Sequence, residues 1–239
     1  MKSGATKSGS AENFWDKASI REGYDTYMSR FFDLLTVYFF GPIIMKSHRI
    51  LLESLRRRSP AILDVGCGTG TLLDVMARED YGDYLVGVDF SRNMLRNAKG
   101  KITESGSARR VDLVCADAEC LPFRMSSFSA ITSTGVLRFF PSPEVALRED
   151  YRVLEPGGRL AMREMAGPKT PSIITHFPLP FKKSFVVWRL WPKLFLENML
   201  DDAGFTGIRI SGKEVIPHFV FALGPPFRQY VFTGAEKPS

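Results

Sequence analysis

The chain has 239 residues, 44% of them hydrophobic and 24% charged, with a net charge of +6 at pH 7. That is the balance of a globular protein, long enough for one α/β domain with decorations and a sizeable core. Cys67, Cys115 and Cys120 exclude a paired disulfide framework and lack zinc-ligand spacing, so a reducing cytoplasm is the expected compartment and no metal is expected. No uncharged run reaches the roughly 18 residues of a membrane-spanning helix, and Met1–Ser10 lacks the apolar centre of a signal peptide. The positive balance favours an anionic partner such as acidic lipid, nucleic acid or an acidic substrate, with a merely solvated basic surface as the plain alternative.

Residues 1–12 are rich in Gly, Ser and Lys and read as a disordered tail. A helical cap is expected over 13–58. Within it Tyr24, Tyr27, Phe31, Leu34, Leu35, Tyr38 and Phe39 recur at helical spacing, Gly41-Pro42 interrupts the run, and a second helix covers Ile43 to Arg58. From residue 59 the pattern alternates strand and helix, with strands near 61–66, 85–89, 111–116, 129–134 and 159–165. Such alternation predicts a parallel sheet covered by helices on both faces, with ligand at the carboxyl ends of its strands.

The first of these strands ends in a glycine-rich bend, Asp64-Val-Gly-Cys-Gly-Thr-Gly70, followed by a helix from Thr71. Glycine lets backbone approach a ligand closely, and a strand, bend and helix in this order make a nucleotide-type pocket. The spacing is G-x-G-x-G with no following G-K-[ST], so neither a P-loop nor the usual dinucleotide fingerprint is present. The second strand ends at Asp89, whose carboxylate can accept two hydrogen bonds from vicinal ribose hydroxyls. The third ends at Asp117, which can meet a base edge or its exocyclic amine.

Beyond the fifth strand, residues 166–192 carry many prolines and aromatics and read as an inserted lid. A helix over Pro192–Phe205 follows, stopped at Gly204. Strands over Gly207–Val215 and Gln229–Gly234 finish the chain.

Five segments, DVGCGTG, VGVDFS, DAECLPF, GVLRFF and RVLEPGG, stand in order between about Pro60 and Met165. Together they resemble the class I S-adenosylmethionine (SAM) methyltransferases. Gly135-Val-Leu-Arg-Phe-Phe is similar to the ubiquinone/menaquinone C-methyltransferase branch and its phospholipid and small-molecule relatives, with Phe139 where that branch often has asparagine. The resemblance implies a Rossmann-like, seven-stranded, mostly parallel sheet and SAM as cofactor, released as S-adenosylhomocysteine. It places Gly66, Cys67 and Gly68 against the methionyl part and Asp64 on its ammonium. Asp89 takes the ribose, Phe90 and Met94 sandwich the adenine, Asp117, Ala118 and Glu119 line its amino edge, and Thr134 lies below the sulfonium. Tyr24 closes over the cofactor, and His176 in the insert is the candidate proton acceptor.

Aromatics in the cap, and cations interleaved with Trp and Phe over Phe181–Phe195, point to a lipophilic acceptor: a phospholipid headgroup amine or a prenylated quinol, met at an anionic membrane surface from the cytoplasmic side. A soluble natural-product methyltransferase is the alternative. An RNA or protein methyltransferase is less favoured, since Thr132-Ser-Thr-Gly stands where an Asn-Pro-Pro-Tyr-like segment would mark nucleic-acid amino-methylation. Intact Asp64, Asp89 and Asp117 argue against a non-catalytic SAM-binding subunit. No obligate protein partner is evident in the sequence.

Overall fold

The structure, a computed structural model, describes residues 41–55, 59–140, 142–165, 172–174, 188–213 and 230–239, with Arg21, Glu22, Asp25 and Ser29 from the N-terminal stretch. Tyr24, His176 and most of the expected cap and insert lie outside the described residues.

Helix α1 (Gly41–Leu52) is followed by strand β1 (Ser59–Val65), helix α2 (Thr71–Arg78), β2 (Gly82–Asp89), α3 (Arg92–Glu104), β3 (Val111–Cys115) and β4 (Phe128–Thr134). After a short 3-10 turn at Leu137–Phe139 come α4 (Pro143–Val153), β5 (Leu154–Met165), β6 (Ser172–Ile174), β7 (Trp188–Leu190), α5 (Lys193–Asp202), β8 (Thr206–Lys213) and β9 (Tyr230–Glu236). Seven strands form one open sheet in the order β3-β2-β1-β4-β5-β9-β8, and β6 pairs with β7 in a separate two-stranded ribbon. β1 to β5 run parallel, while β9 is antiparallel to both β5 and β8. This is the seven-stranded, mostly parallel, Rossmann-like sheet that the sequence predicts.

β1 shows why the sheet has helices on both faces. Along it Leu63 and Val65 enter one apolar cluster with Leu147 and Val153 of α4 and Leu196, Met199 and Leu200 of α5. Ile62 points the other way, into a cluster with Leu51 and Leu52 of α1, Leu72, Leu73 and Met76 of α2, and Ala98 and Ile102 of α3. A strand buried on both faces loses its alternating pattern and reads as a continuous apolar run. Each such side chain contributes about 1.5–3 kcal/mol by leaving water.

The bounds of α1 and β5 depart most from the sequence expectation. α1 starts at Gly41, because proline in the first turn costs no helical hydrogen bond. It stops at Leu52 rather than Arg58: Ser54 N donates to Leu51 O (3.0 Å) and Leu55 N to Leu52 O (3.1 Å), so three-residue bonds tighten the last turn. β5 begins at Leu154 rather than 159, because Leu154 already pairs with Phe128 before the Glu155–Gly158 bend, and the ladder resumes with Ala130 opposite Arg159. The stop at Gly204 is as expected. Its φ is +98°, its N donates to Asp201 O (2.9 Å), and Phe205 N donates to Leu200 O (3.0 Å), the pattern of a Schellman end.

Candidate functional site

The carboxyl ends of β1, β2 and β4 converge where the strand order reverses between β1 and β4, the position at which open α/β sheets bind ligands. The bend after β1 has positive φ at Gly66 (+68°), Gly68 (+55°) and Gly70 (+73°). At Gly66 space is lacking too. A Cβ built there would press on the Val136 side chain, 2.9 Å from its Cγ1, so the bend and the turn after β4 touch directly. Gly70 hands the chain into α2, with Asp74 N donating to Gly70 O at 2.9 Å.

Asp89, at the tip of β2, is 8% exposed. Its Oδ2 accepts from Gly68 N (2.9 Å) and its Oδ1 from Ser91 N (2.8 Å). A carboxylate has about four acceptor sites, so each oxygen keeps one for a further donor. Burial pushes its pKa up to about 6, against the pull of the Ser91 and Gly68 N–H groups. Asp64, on β1, is deeper still, and its Oδ1 accepts from Thr132 Oγ1 at 2.7 Å. Burial raises Asp64 to about 7, the Thr132 bond draws it down, and the Asp89 charge raises it again. Two buried acids side by side make a pocket that favours a cationic ligand.

The other expected residues stand around this pair. Asp117 follows β3 and folds its Oδ1 onto Glu119 N (3.0 Å), which shapes the Asp117–Cys120 bend, with Ala118 buried beneath. Phe90 is half-buried beside Asp89, and Met94 is buried in the first turn of α3 with its N–H donating to Ser91 Oγ (3.2 Å). Thr134 is the last residue of β4, half-exposed. Cys67 is buried inside the bend, and burial holds its thiol well above the usual range, so it packs rather than reacts.

Four contributors are absent from the sequence reading. Asp25 reaches the start of α3: its Oδ1 accepts from Ser91 Oγ and from Asn93 N (3.2 Å), and its carbonyl accepts from Asn93 Nδ2 (2.8 Å). A carboxylate at a helix N-terminus is stabilised by the helix dipole. Lys101 Nζ donates to Thr69 Oγ1 (3.2 Å) and Thr71 Oγ1 (2.8 Å), bracing the glycine bend from behind. Glu164, 3% exposed on β5, accepts from Val136 N (2.8 Å) and Leu137 N (3.0 Å) through Oε1. Arg163 is buried on β5, on the opposite face from Glu164, and donates to Ser47 Oγ of α1. Only Asn93 and Asn97, four residues apart on one helical face, could have hinted at any of this: Asn97 Nδ2 donates to Ser29 O at 2.6 Å. Arg138 turns inward, its Nε on Gly135 O (2.9 Å) and Nη1 on Met165 Sδ (2.8 Å).

Residues 63–162 match the family model described as a methyltransferase domain. The chain is 35% identical over 153 residues to a ubiquinone/menaquinone biosynthesis C-methyltransferase of Geotalea daltonii, the match spanning 63% of this chain and 64% of that protein. It is 30% identical over 224 residues to a demethylmenaquinone methyltransferase of Staphylococcus aureus, covering 84% of this chain and 90% of the relative. Among solved structures, a Burkholderia thailandensis 1,6-didemethyltoxoflavin-N1-methyltransferase with bound S-adenosylhomocysteine superimposes with a TM-score of 0.70 at 17% identity, over 98% of this chain and 94% of that one. At that identity the superposition speaks to the fold alone.

Proposed function

This chain belongs to the class I SAM-dependent methyltransferases, and on that footing we propose that it methylates a lipophilic acceptor at a membrane surface, a prenylated quinol ahead of a phospholipid headgroup amine. The activities named for its relatives support the quinol. The observation that carries the apolar acceptor is the aromatic wall beside the turn after β4. Trp191 is buried there and stacks on Phe195 with ring centroids 5.5 Å apart. Its indole N–H reaches Leu137 O at 3.5 Å, and Phe139 and Phe140 are half-buried in the same turn. Leu194 and Phe195, at the start of α5, are 67% and 41% exposed. Large apolar side chains turned to solvent beside a lysine (Lys193) suit contact with lipid. Among the described residues no helix is long and apolar enough to cross a membrane.

The site residues fit the cofactor. The Asp89 oxygens retain acceptor sites for the ribose hydroxyls, and the bend at Gly66–Gly68 presents bare backbone to the methionyl part. Asp64 faces the ammonium, and Asp117 with Ala118 and Glu119 borders the adenine alongside Phe90 and Met94. Bound SAM supplies a methyl group already activated on a sulfonium. The protein's work is then to hold donor and acceptor in line, about 3–3.5 Å apart, and to exclude water, with Thr134 and the Gly135–Leu137 turn as the floor. Tyr24 and His176 keep their proposed roles as cover and proton acceptor.

The test is incubation with labelled SAM and a membrane lipid extract, read by mass spectrometry. Label on a quinol ring is the expected result, label on a headgroup amine moves the phospholipid forward, and label confined to water-soluble products overturns the lipophilic acceptor. Flotation with anionic liposomes at low salt is expected, and its absence would remove the membrane surface.

A further inference from the structure

We propose that the solvent face of α3 docks on anionic phospholipid, so that the protein meets a bilayer with the carboxyl rim of its sheet, α3 supplying the charge and the start of α5 the apolar contact. The proposal rests on the membrane-surface reading above and adds to it the face and the headgroup chemistry.

α3 carries Arg92, Arg96, Lys99 and Lys101 against a single acid, Glu104 in its last turn. Met94, Leu95, Ala98 and Ile102 are its buried side. Arg92, Arg96 and Lys99, spaced by four and three residues, form a separate exposed stripe. Lys101 leaves that stripe to donate to Thr69 and Thr71 behind the bend. Arg96 donates to Asn93 Oδ1, a neutral partner within the helix. Among the described residues no carboxylate is in ion-pair distance of Arg92, Arg96 or Lys99. Asp25, the acid at this end, is turned onto Ser91 Oγ and Asn93 N, and exposed Arg21 lies 3.9 Å from it, with Glu22 exposed alongside. The first turn of α3 holds no acid of its own, and a cation there opposes the helix dipole, so Arg92 stands at a cost to the helix.

The fold turns this stripe and the exposed apolar side chains of α5 to the same end of the molecule. α3 starts just past the tip of β2, and α5 starts beside the turn after β4, where Trp191 Nε1 reaches Leu137 O. Both helices therefore begin at the carboxyl rim. They lie on opposite faces of the sheet, since Leu95, Ala98 and Ile102 enter one apolar cluster and Leu196, Met199 and Leu200 the other. Cations thus flank the rim on one side, and exposed Leu194 and Phe195, next to Lys193, on the other. Guanidinium and ammonium groups pair with lipid phosphates, while large apolar side chains enter the headgroup boundary. Nucleic acid would use the same charge but leaves Leu194 and Phe195 without a role, so a lipid surface is the occupant that accounts for both.

Flotation of the full chain with phosphatidylcholine vesicles, with and without about one-third phosphatidylglycerol, tests this face. The wild type should prefer the anionic vesicles, and added salt should weaken that preference. Arg92→Gln/Arg96→Gln/Lys99→Gln should lose about 100-fold in affinity for them at low salt, about fivefold for each cation. Its SAM affinity by calorimetry should stay within about twofold, which also reports that the variant is folded. Arg109→Gln/Arg124→Gln/Arg209→Gln removes the same charge from exposed positions elsewhere and should lose less than about fivefold. A stripe variant that floats as the wild type does, or a control that falls as far, overturns the proposal while the membrane reading stands. A wild type that floats with neither vesicle removes both. A wild type that leaves the vesicles for a short single-stranded oligonucleotide, with the stripe variant binding neither, assigns α3 to nucleic acid and overturns the proposal.

Discussion

Gly68 N donates to Asp89 Oδ2 at 2.9 Å, so the carboxylate proposed for the ribose also ties the glycine bend to the tip of β2. One side chain thereby sets both the shape of the bend and the charge at the proposed cofactor site. Asp89→Ala should leave Gly68 N and Ser91 N without their acceptor and remove the ribose partner together. Charge-assisted bonds of this kind contribute about 1.5–3 kcal/mol each, so SAM affinity should fall at least about 10-fold. Calorimetry on folded protein checks this, and an unchanged affinity would refute the site assignment.

Gly66 meets Val136 across the bend. Gly66→Ala forces a side chain into left-handed backbone and against that valine, a strain of about 1–3 kcal/mol. Because the strained bend is itself the proposed backbone contact for the cofactor, the variant should lose both thermal stability and SAM binding. Val136→Ala in the same chain relieves the clash but not the backbone strain, so it should restore part of the loss. Absence of any rescue in the melting temperature would show that the Val136 contact is unimportant.

Asp64 and Asp89 give pH dependence of opposite sign in the empty and loaded protein. Burial raises Asp64 to about 7 and Asp89 to about 6, from 3.8 unfolded. The folded chain therefore binds these protons more tightly than the unfolded one. Their contribution to stability is full below about pH 4 and is lost as pH rises through 6 and 7. A cationic cofactor reverses the trend, because it favours the ionised acids: SAM binding should strengthen from pH 5.5 to 8 with release of protons. His48 works the other way, its depressed pKa making it a source of stability that is lost as pH falls below about 6.5. Comparing wild type with Asp64→Asn cancels that background. Without ligand, the variant should gain on wild type by on the order of 1–4 kcal/mol between pH 5 and 8, while binding SAM more weakly. Melting curves at several pH values, with and without SAM, decide this, and parallel pH profiles for the two proteins would contradict it.

Much of this site is legible in the sequence because its parts are local. The strand–bend–helix at Ala61–Arg78 and the strand-end acids Asp64 and Asp89 declare themselves through glycine spacing and apolar runs bounded by charge. The supporting bonds are not local. Asp25 meets Ser91 across 66 residues, Glu164 meets Val136 across 28, and Arg163 meets Ser47 across 116. Which buried polar groups pair is decided by how the layers stack, and no periodicity records it. The early start of β5 is not local either: Glu155-Pro-Gly-Gly158 reads as a tight turn into the strand, whereas the ladder with β4 has pairs on both sides of it.

Glu164 offers the sharpest separation of binding from chemistry. Its Oε1 accepts two successive N–H groups, of Val136 and Leu137, and so fixes the turn after β4, the floor of the proposed transfer site, with no bond of its own among the described residues to the glycine bend proposed for the cofactor. Burial holds its pKa above the usual carboxylate range, against the Arg138 charge and the two N–H bonds. Glu164→Gln keeps a carbonyl oxygen for those bonds but loses the charge opposite Arg138, whose Nε lies 4.0 Å from Oε2. Glu164→Ala loses the acceptor altogether and leaves two buried N–H groups unsatisfied, at about 1–3 kcal/mol each. A misplaced floor costs alignment rather than grip, so kcat should fall about 10- to 100-fold in Glu164→Ala and less in Glu164→Gln, with SAM affinity held within about threefold. Steady-state kinetics beside calorimetry make the comparison. A fall in SAM affinity that matches the fall in kcat would mean that Glu164 supports the cofactor rather than the acceptor side.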